Sequence, residues 1–324
     1  MRRTNKLLIF AFLLLFIGLL LFGIAMLNGG VKIFSGENQL QEATYEITEE
    51  FDSISFLTDT ADITVLPSED GKAKVVCRAR DKETYTVKVT DGVLKIDLYD
   101  ERAWYEYIQI SFGISSPGVT VYLPESEYKA LSVDASTGDV RVNDGLRFEE
   151  ADVDISTGDV YFLADTSGLL KIKTSTGDIN ISGTKAGSVS LTVTTGDVEV
   201  EGLECAEEIT VSASTADIEL SRVFAKNLSI EGTSGDKELE DVIIEEKLYV
   251  KSKTGDVVLS DCDGGEITIE TSTGDVKGTI LTEKVFVAKA STGDVKVPEN
   301  MSGGKCYVTT STGDIKIRYS ATPW

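Results

Sequence analysis

The sequence predicts an all-β protein: a parallel β-solenoid of 19–20-residue, two-strand rungs with an N-terminal β capping module, preceded by one transmembrane helix. Three observations predict it. The phrase Ser-Thr-Gly-Asp-Val or a near variant recurs ten times between Ser136 and Ile315, its carboxylates falling at Asp139, Asp159, Asp178, Asp197, Asp217, Asp236, Asp256, Asp275, Asp294 and Asp314. Apolar residues hold fixed offsets on both sides of that phrase and alternate with polar ones. Three basic side chains, Arg2, Arg3 and Lys6, precede an uncharged run from Leu7 to Leu27. A short period sustained over more than half a chain is the mark of units that stack on one another.

From the N-terminus, Leu7–Leu27 at 1.5 Å per residue spans about 31 Å, enough to cross a bilayer. A cleaved signal peptide is the rival reading, but its apolar region is shorter and ends in small residues, which Ala25-Met26-Leu27-Asn28 does not supply. With the basic residues ahead of the span, residues 1–6 form a cytoplasmic tail and everything after the anchor lies outside. Residues 28–44, with Gly29, Gly30 and Gly36, read as a linker.

Residues 45–130 read as the β cap, with degenerate repeats. Thr60-Ala61-Asp62-Ile63 is a weak copy of the phrase, about four periods ahead of Asp139. Tyr85–Leu98 reads as a hairpin turning at Asp91-Gly92, because Asp-Gly between alternating strands favours a tight turn with positive φ. A cap is needed because an open solenoid end presents unpaired backbone groups.

Residues 131–318 are the regular array, and 319–324 a C-terminal tail. Eight residues before each Asp stand Leu131, Ala151, Leu170, Val189 and their successors; six before it stand Val133, Val153, Ile172 and Leu191. One residue after it the column reads Val140, Val160, Ile179, Val198, Ile218, then Lys237 as the exception. Such columns describe two short strands whose inner faces meet across a polar turn, and stacking fuses the columns into one core. In the turn, Gly suits positive φ or close approach of rungs, while Asp, Ser and Thr bond nearby backbone N–H groups.

Composition limits function. With 31 basic against 54 acidic residues the formal charge is −23, so nucleic acid is a poor partner. There is no His, which removes the commonest general base and zinc ligand. Cys77, Cys205, Cys262 and Cys306 have no metal-ligand spacing; they read as buried thiols, with a disulfide as the alternative.

Two features carry candidate chemistry. The ten Asp of the repeated phrase would stand about 4.8 Å apart and repel unless bonded to N–H groups, screened or bridged by cations. They are turn-formers first and weak metal candidates second; Ca²⁺ is the cation they would take, although it wants six to eight oxygens. Trp104, Tyr105 and Tyr107, with Phe112 beyond, read as cap packing or as a surface that stacks on a ligand. Ten equivalent carboxylates give no pair with divergent pKa values, so a polysaccharide-active enzyme is the less favoured reading.

From Glu46 to Ile317 the chain resembles the bacterial putative-adhesin family, a domain of unknown function. The resemblance rests on the Ser-Thr-Gly-Asp-Val/Ile repeats, the Thr60-Ala61-Asp62-Ile63 copy and the Val121-Tyr-Leu-Pro124 strand end. It implies a β-repeat fold and a place in the bacterial envelope, and no catalytic residues. The expectation is a non-enzymatic, membrane-anchored adhesion or binding module outside the cell, facing a surface ligand or a membrane-protein partner. The alternative is a structural or sensory partner in the envelope stress response.

Overall fold

A computed structural model describes residues 40–80, 83–100 and 117–320. None of them forms a helix long and apolar enough to cross a membrane; the Leu7–Leu27 anchor and the Trp104, Tyr105, Tyr107 and Phe112 cluster lie outside the described residues. What is described is all-β, a solenoid of about ten turns whose strands form two ladders that share one core.

Each rung contributes one strand before its Asp and one after it. The first ladder runs through Glu127–Thr137, Arg147–Thr157, Asp165–Thr176 and Lys185–Thr195, all parallel. The second runs through Val140–Val142, Val160–Phe162, Ile179–Ser182 and Val198–Glu201. From Ile218 the strand after one turn continues without a break into the strand before the next, giving Ile218–Ser234, Lys237–Thr254 and Val257–Thr273. The far corner there turns on Arg222, Asp241 and Asp261 at φ 52–53°, where earlier rungs use Gly183 and Gly202. A Cβ crowds the carbonyl in this region, and Asp tolerates it better than Arg because its short polar side chain can bond the local backbone.

The apolar columns are buried as expected. Val140, Val160, Ile179 and Ile218 are fully enclosed, and the −8 and −6 columns pack opposite them. Each fully buried Val or Ile contributes about 1.5–3 kcal/mol that a lone rung could not realise, since its inner face would be wet.

The two ends depart from simple succession. At the N-terminal end Ser53–Thr60 and Asp62–Pro67 pair directly with the strands of the Asp139 rung, in the register Phe56↔Val133 and Ile63↔Val140. The stretch between Asp62 and Asp139, 77 positions apart, is therefore not four worn rungs. It leaves the array and returns to cover its end: Val93–Asp100 lies on Ser53–Thr60 and Gly118–Leu123 on Asp62–Pro67. Antiparallel strands finish the cover, Glu83–Thr90 on the first ladder, Ala73–Ala79 and Gln41–Ile47 on the second. The hairpin turns at Asp91-Gly92 with φ 52° and 76°, as its sequence predicts. The first strand begins at Gln41, within the stretch that reads as linker.

At the other end the last two rungs are exchanged. Val257–Thr273 pairs with Gly304–Thr312, and Gly304–Thr312 pairs in turn with Lys284–Thr292. The chain lays down the Asp294 rung outermost, then comes back and inserts the Asp314 rung beneath it. The rung nearest the C-terminus therefore does not end the stack. Val295 shows the result, being 42% exposed where its column is elsewhere enclosed. Tyr319 holds the outer rung from below: its hydroxyl accepts from Lys284 N at 3.2 Å and from Asn300 Nδ2 at 2.7 Å.

Candidate functional site

The turn of each rung is a closed hydrogen-bond system. In the Asp159 rung, Gly158 N donates to Thr176 O at 2.9 Å, Val160 N donates to Asp178 O at 2.8 Å, and Asp178 N donates back to Asp159 Oδ1 at 2.9 Å. The last of these bonds repeats along the stack. Oδ1 of Asp62 accepts from Asp139 N, Asp139 from Asp159, and so on to Asp256 and Asp275, at 2.7–3.1 Å. At the exchanged end Asp275 accepts from Asp314 N and Asp314 from Asp294 N. All ten predicted Asp therefore stand in one column, joined by Asp62.

The repulsion of stacked carboxylates is met by these charge-assisted bonds and by basic neighbours. Arg141 binds Asp139 Oδ2 at 3.1 Å, Lys277 binds Asp275 Oδ2 at 2.7 Å and Lys316 binds Asp314 Oδ2 at 2.6 Å. The Lys277 bond, helped by Asp314 N, holds the Asp275 carboxyl below the usual range; Lys316 and Asp294 N do the same for Asp314. One oxygen per rung is committed to the backbone, so a Ca²⁺ ion would find single carboxylate oxygens in a row. Among the described residues no three Asp, Glu or Cys converge as a metal site.

Glycine in the turn is dictated by contact between rungs. Gly158 has φ 142°, and a Cβ there would lie 2.1 Å from Gly138 O. The two alanines in the column, Ala61 and Ala216, are absent from the residues with positive φ, so the turn reshapes around them and carries no left-handed strain.

Lys237, the exception in the +1 column, is wholly buried. Its Nζ donates to Gly235 O and to Ser252 Oγ, the latter at 3.1 Å. Room comes from Gly232, where a Cβ would stand 2.7 Å from the Lys237 side chain. Burial pushes the ammonium below its ordinary value, against the pull of Asp236 and Asp217. The four cysteines are free and buried, and burial raises Cys77 and Cys306 to about 12 and Cys262 to about 11. They are packing residues, not nucleophiles.

One open groove of about 680 Å³ lies at the far corner, with Phe224, Ala225 and Ile243 as its apolar floor. Lys185, paired with Glu204 at 2.9 Å, forms part of its rim. Its lining recurs at fixed offsets from the Asp column, with Lys185, Glu204, Phe224 and Ile243 seven residues after an Asp and Ala186, Cys205 and Ala225 eight; the signal in the sequence is Phe224 and Ile243 standing where earlier rungs carry Lys185 and Glu204.

The Toastrack DUF4097 family model matches residues 51–207 and 203–322. The chain belongs to that family. The Toastrack match thus takes in the Asp62 rung, the cap strands other than Gln41–Ile47 and the array. Among solved structures the chain is similar to a putative lipid binding protein from Parabacteroides distasonis, at 18% identity over 74% of this chain and 97% of that one, with a TM-score of 0.47. It is also similar to putative adhesins from Bacteroides fragilis (16% identity, 87% and 98% covered, TM-score 0.36) and P. distasonis (14%, 87% and 98%, 0.46). None of the curated proteins matches.

Proposed function

We propose that this Toastrack protein is a non-enzymatic binding module of the bacterial envelope, anchored by Leu7–Leu27 and displaying its solenoid outside the cell. The observation that carries this reading is the Asp column. Its carboxylates, the most conspicuous chemical feature of the sequence, are spent as hydrogen-bond acceptors that hold rung on rung. What the fold offers to other molecules is long strand faces with evenly spaced side chains, a geometry suited to extended ligands.

The test uses the full-length protein in mild detergent. Saturable binding to isolated cell envelopes without release of soluble sugar is expected; turnover of cell-wall polysaccharide by the purified protein would overturn the reading.

A second reading, a structural or sensory partner in the envelope stress response, is supported by the outer rung. Among the described residues the outer edge of Lys284–Thr292 has no pairing strand, and Val287 is 55% exposed. Counting strands from Gln41–Ile47, this edge stands about 60 Å from the strand by which the chain enters the fold. Such an edge accepts a partner strand. This reading predicts a membrane protein that co-purifies with the wild type and is lost with Val287→Lys; recovery without partners from mild detergent counts against it.

A further inference from the structure

The outer face of the first ladder changes character toward its C-terminal half. The strand Lys237–Thr254 turns Lys247, Tyr249, Lys251 and Lys253 outward, while Leu248, Val250 and Ser252 face the core. Pairing sets Tyr249 beside Thr268 and Thr268 beside Tyr307, so two tyrosines flank a small residue, about 9.6 Å apart. Lys305 stands in the Lys247 row with Glu266 between them, and Lys289 in the Lys251 row beyond Glu270 and Thr309.

These five lysines have no ion pair among the described residues; Lys247 and Lys305 instead lie over the rings of Tyr249 and Tyr307, at 5.3 and 5.9 Å. Lysines elsewhere on the same outer face behave differently. Lys171 is bound to Asp152 at 2.8 Å and Lys173 to Asp154 at 2.9 Å. In a protein of net charge −23, unpaired lysines gathered around tyrosines form a local site of opposite sign.

We infer that this face is the binding site for a polysaccharide bearing spaced negative charges. The lysines meet the charges, the tyrosine rings stack on sugar rings, and the interleaved Glu231, Glu266 and Glu270 accept hydroxyl donors that a sugar has and a bare polyanion lacks. The same glutamates, with the acidic body around them, oppose nucleic acid, whose phosphates are too dense for five lysines. The inference rests on the binding-module reading and names its ligand class.

The test measures binding of polygalacturonate to the full-length protein in neutral detergent, with its fully methyl-esterified form, poly-glutamate and single-stranded DNA alongside. Binding to polygalacturonate that weakens with salt, and little binding to the other three, is expected. Lys251→Gln with Lys289→Gln, and separately Tyr249→Ala with Tyr307→Ala, should each weaken it by about tenfold or more, whereas Lys171→Gln with Lys173→Gln should change it less than about twofold. All these positions are on the outer strand face, so circular dichroism should be unchanged. Equal binding of the esterified chain, the peptide or DNA overturns the inference, as does equal sensitivity to the control pair. Absence of polygalacturonate binding overturns it too, while saturable binding to envelopes would leave the module reading standing.

Discussion

Replacing Asp159 by Asn and by Ala separates the two physical roles of the Asp column. Its Oδ1 accepts from Asp178 N at 2.9 Å, and its neighbours in the stack are Asp139 and Asp178. Unit charges 4.8 Å apart repel by about 0.9 kcal/mol each in a water-like dielectric, so either substitution relieves at most about 1.7 kcal/mol, less in salt. Asn keeps an acceptor at the same place and forfeits only the charge assistance, about 1 kcal/mol; its net effect should fall within about 1 kcal/mol of zero. Ala relieves the same repulsion and leaves the Asp178 amide unpaired in a half-buried site, so it should lie about 1–2 kcal/mol below Asn. Native-state hydrogen exchange at the Asp178 amide reads this locally, with protection roughly tenfold lower in Ala than in Asn. If Asn and Ala are equally damaging, the charge itself is required, and the column is held by cations. A rise in unfolding temperature with millimolar Ca²⁺ in the wild type, absent in Asp159→Asn, would establish that refutation.

Gly158→Ala should destabilise by about 2–4 kcal/mol, since its Cβ meets Gly138 O at 2.1 Å in a backbone region unfavourable to L residues, whereas Ala216→Gly should cost less than about 1 kcal/mol; chemical denaturation of both variants checks the contrast. Lys237→Met should stabilise by about 1–3 kcal/mol, because the buried ammonium is replaced by an apolar chain of similar length while Ser252 Oγ keeps Thr254 O as partner. In the wild type the folded pKa of Lys237 lies below the unfolded 10.5, so stability should rise as pH climbs from the folded value toward 10.5, and a denaturation series should show that slope vanish in the variant. Asp275 and Asp314 have folded pKa values below 3.8, so their contribution is complete above that pH and is lost as pH falls through the lower folded values. Lys277→Met with Lys316→Met should make the acid limb of an unfolding profile shallower.

The sequence by itself determined the rung. A phrase every 19 or 20 residues, with apolar columns at fixed offsets, admits little but two strands and a turn stacked in register, because any slip of one residue would turn Val140, Val160 and Ile179 to solvent. It also determined the Asp91-Gly92 turn and the burial of the four cysteines, both local or columnar signals. Only the tertiary structure decided which rung lies beside which. Ten nearly equivalent turns fit one another in any order, so nothing local says that Gly304–Thr312 passes beneath Lys284–Thr292, or that the residues after Pro67 leave the array to cover its end and return at Glu127. The same applies to the Lys and Tyr face: Lys251 and Lys289 are 38 positions apart in sequence, and the rows that bring them together, with the exchange of rungs that sets Lys289 outermost, exist only once the ladders are built.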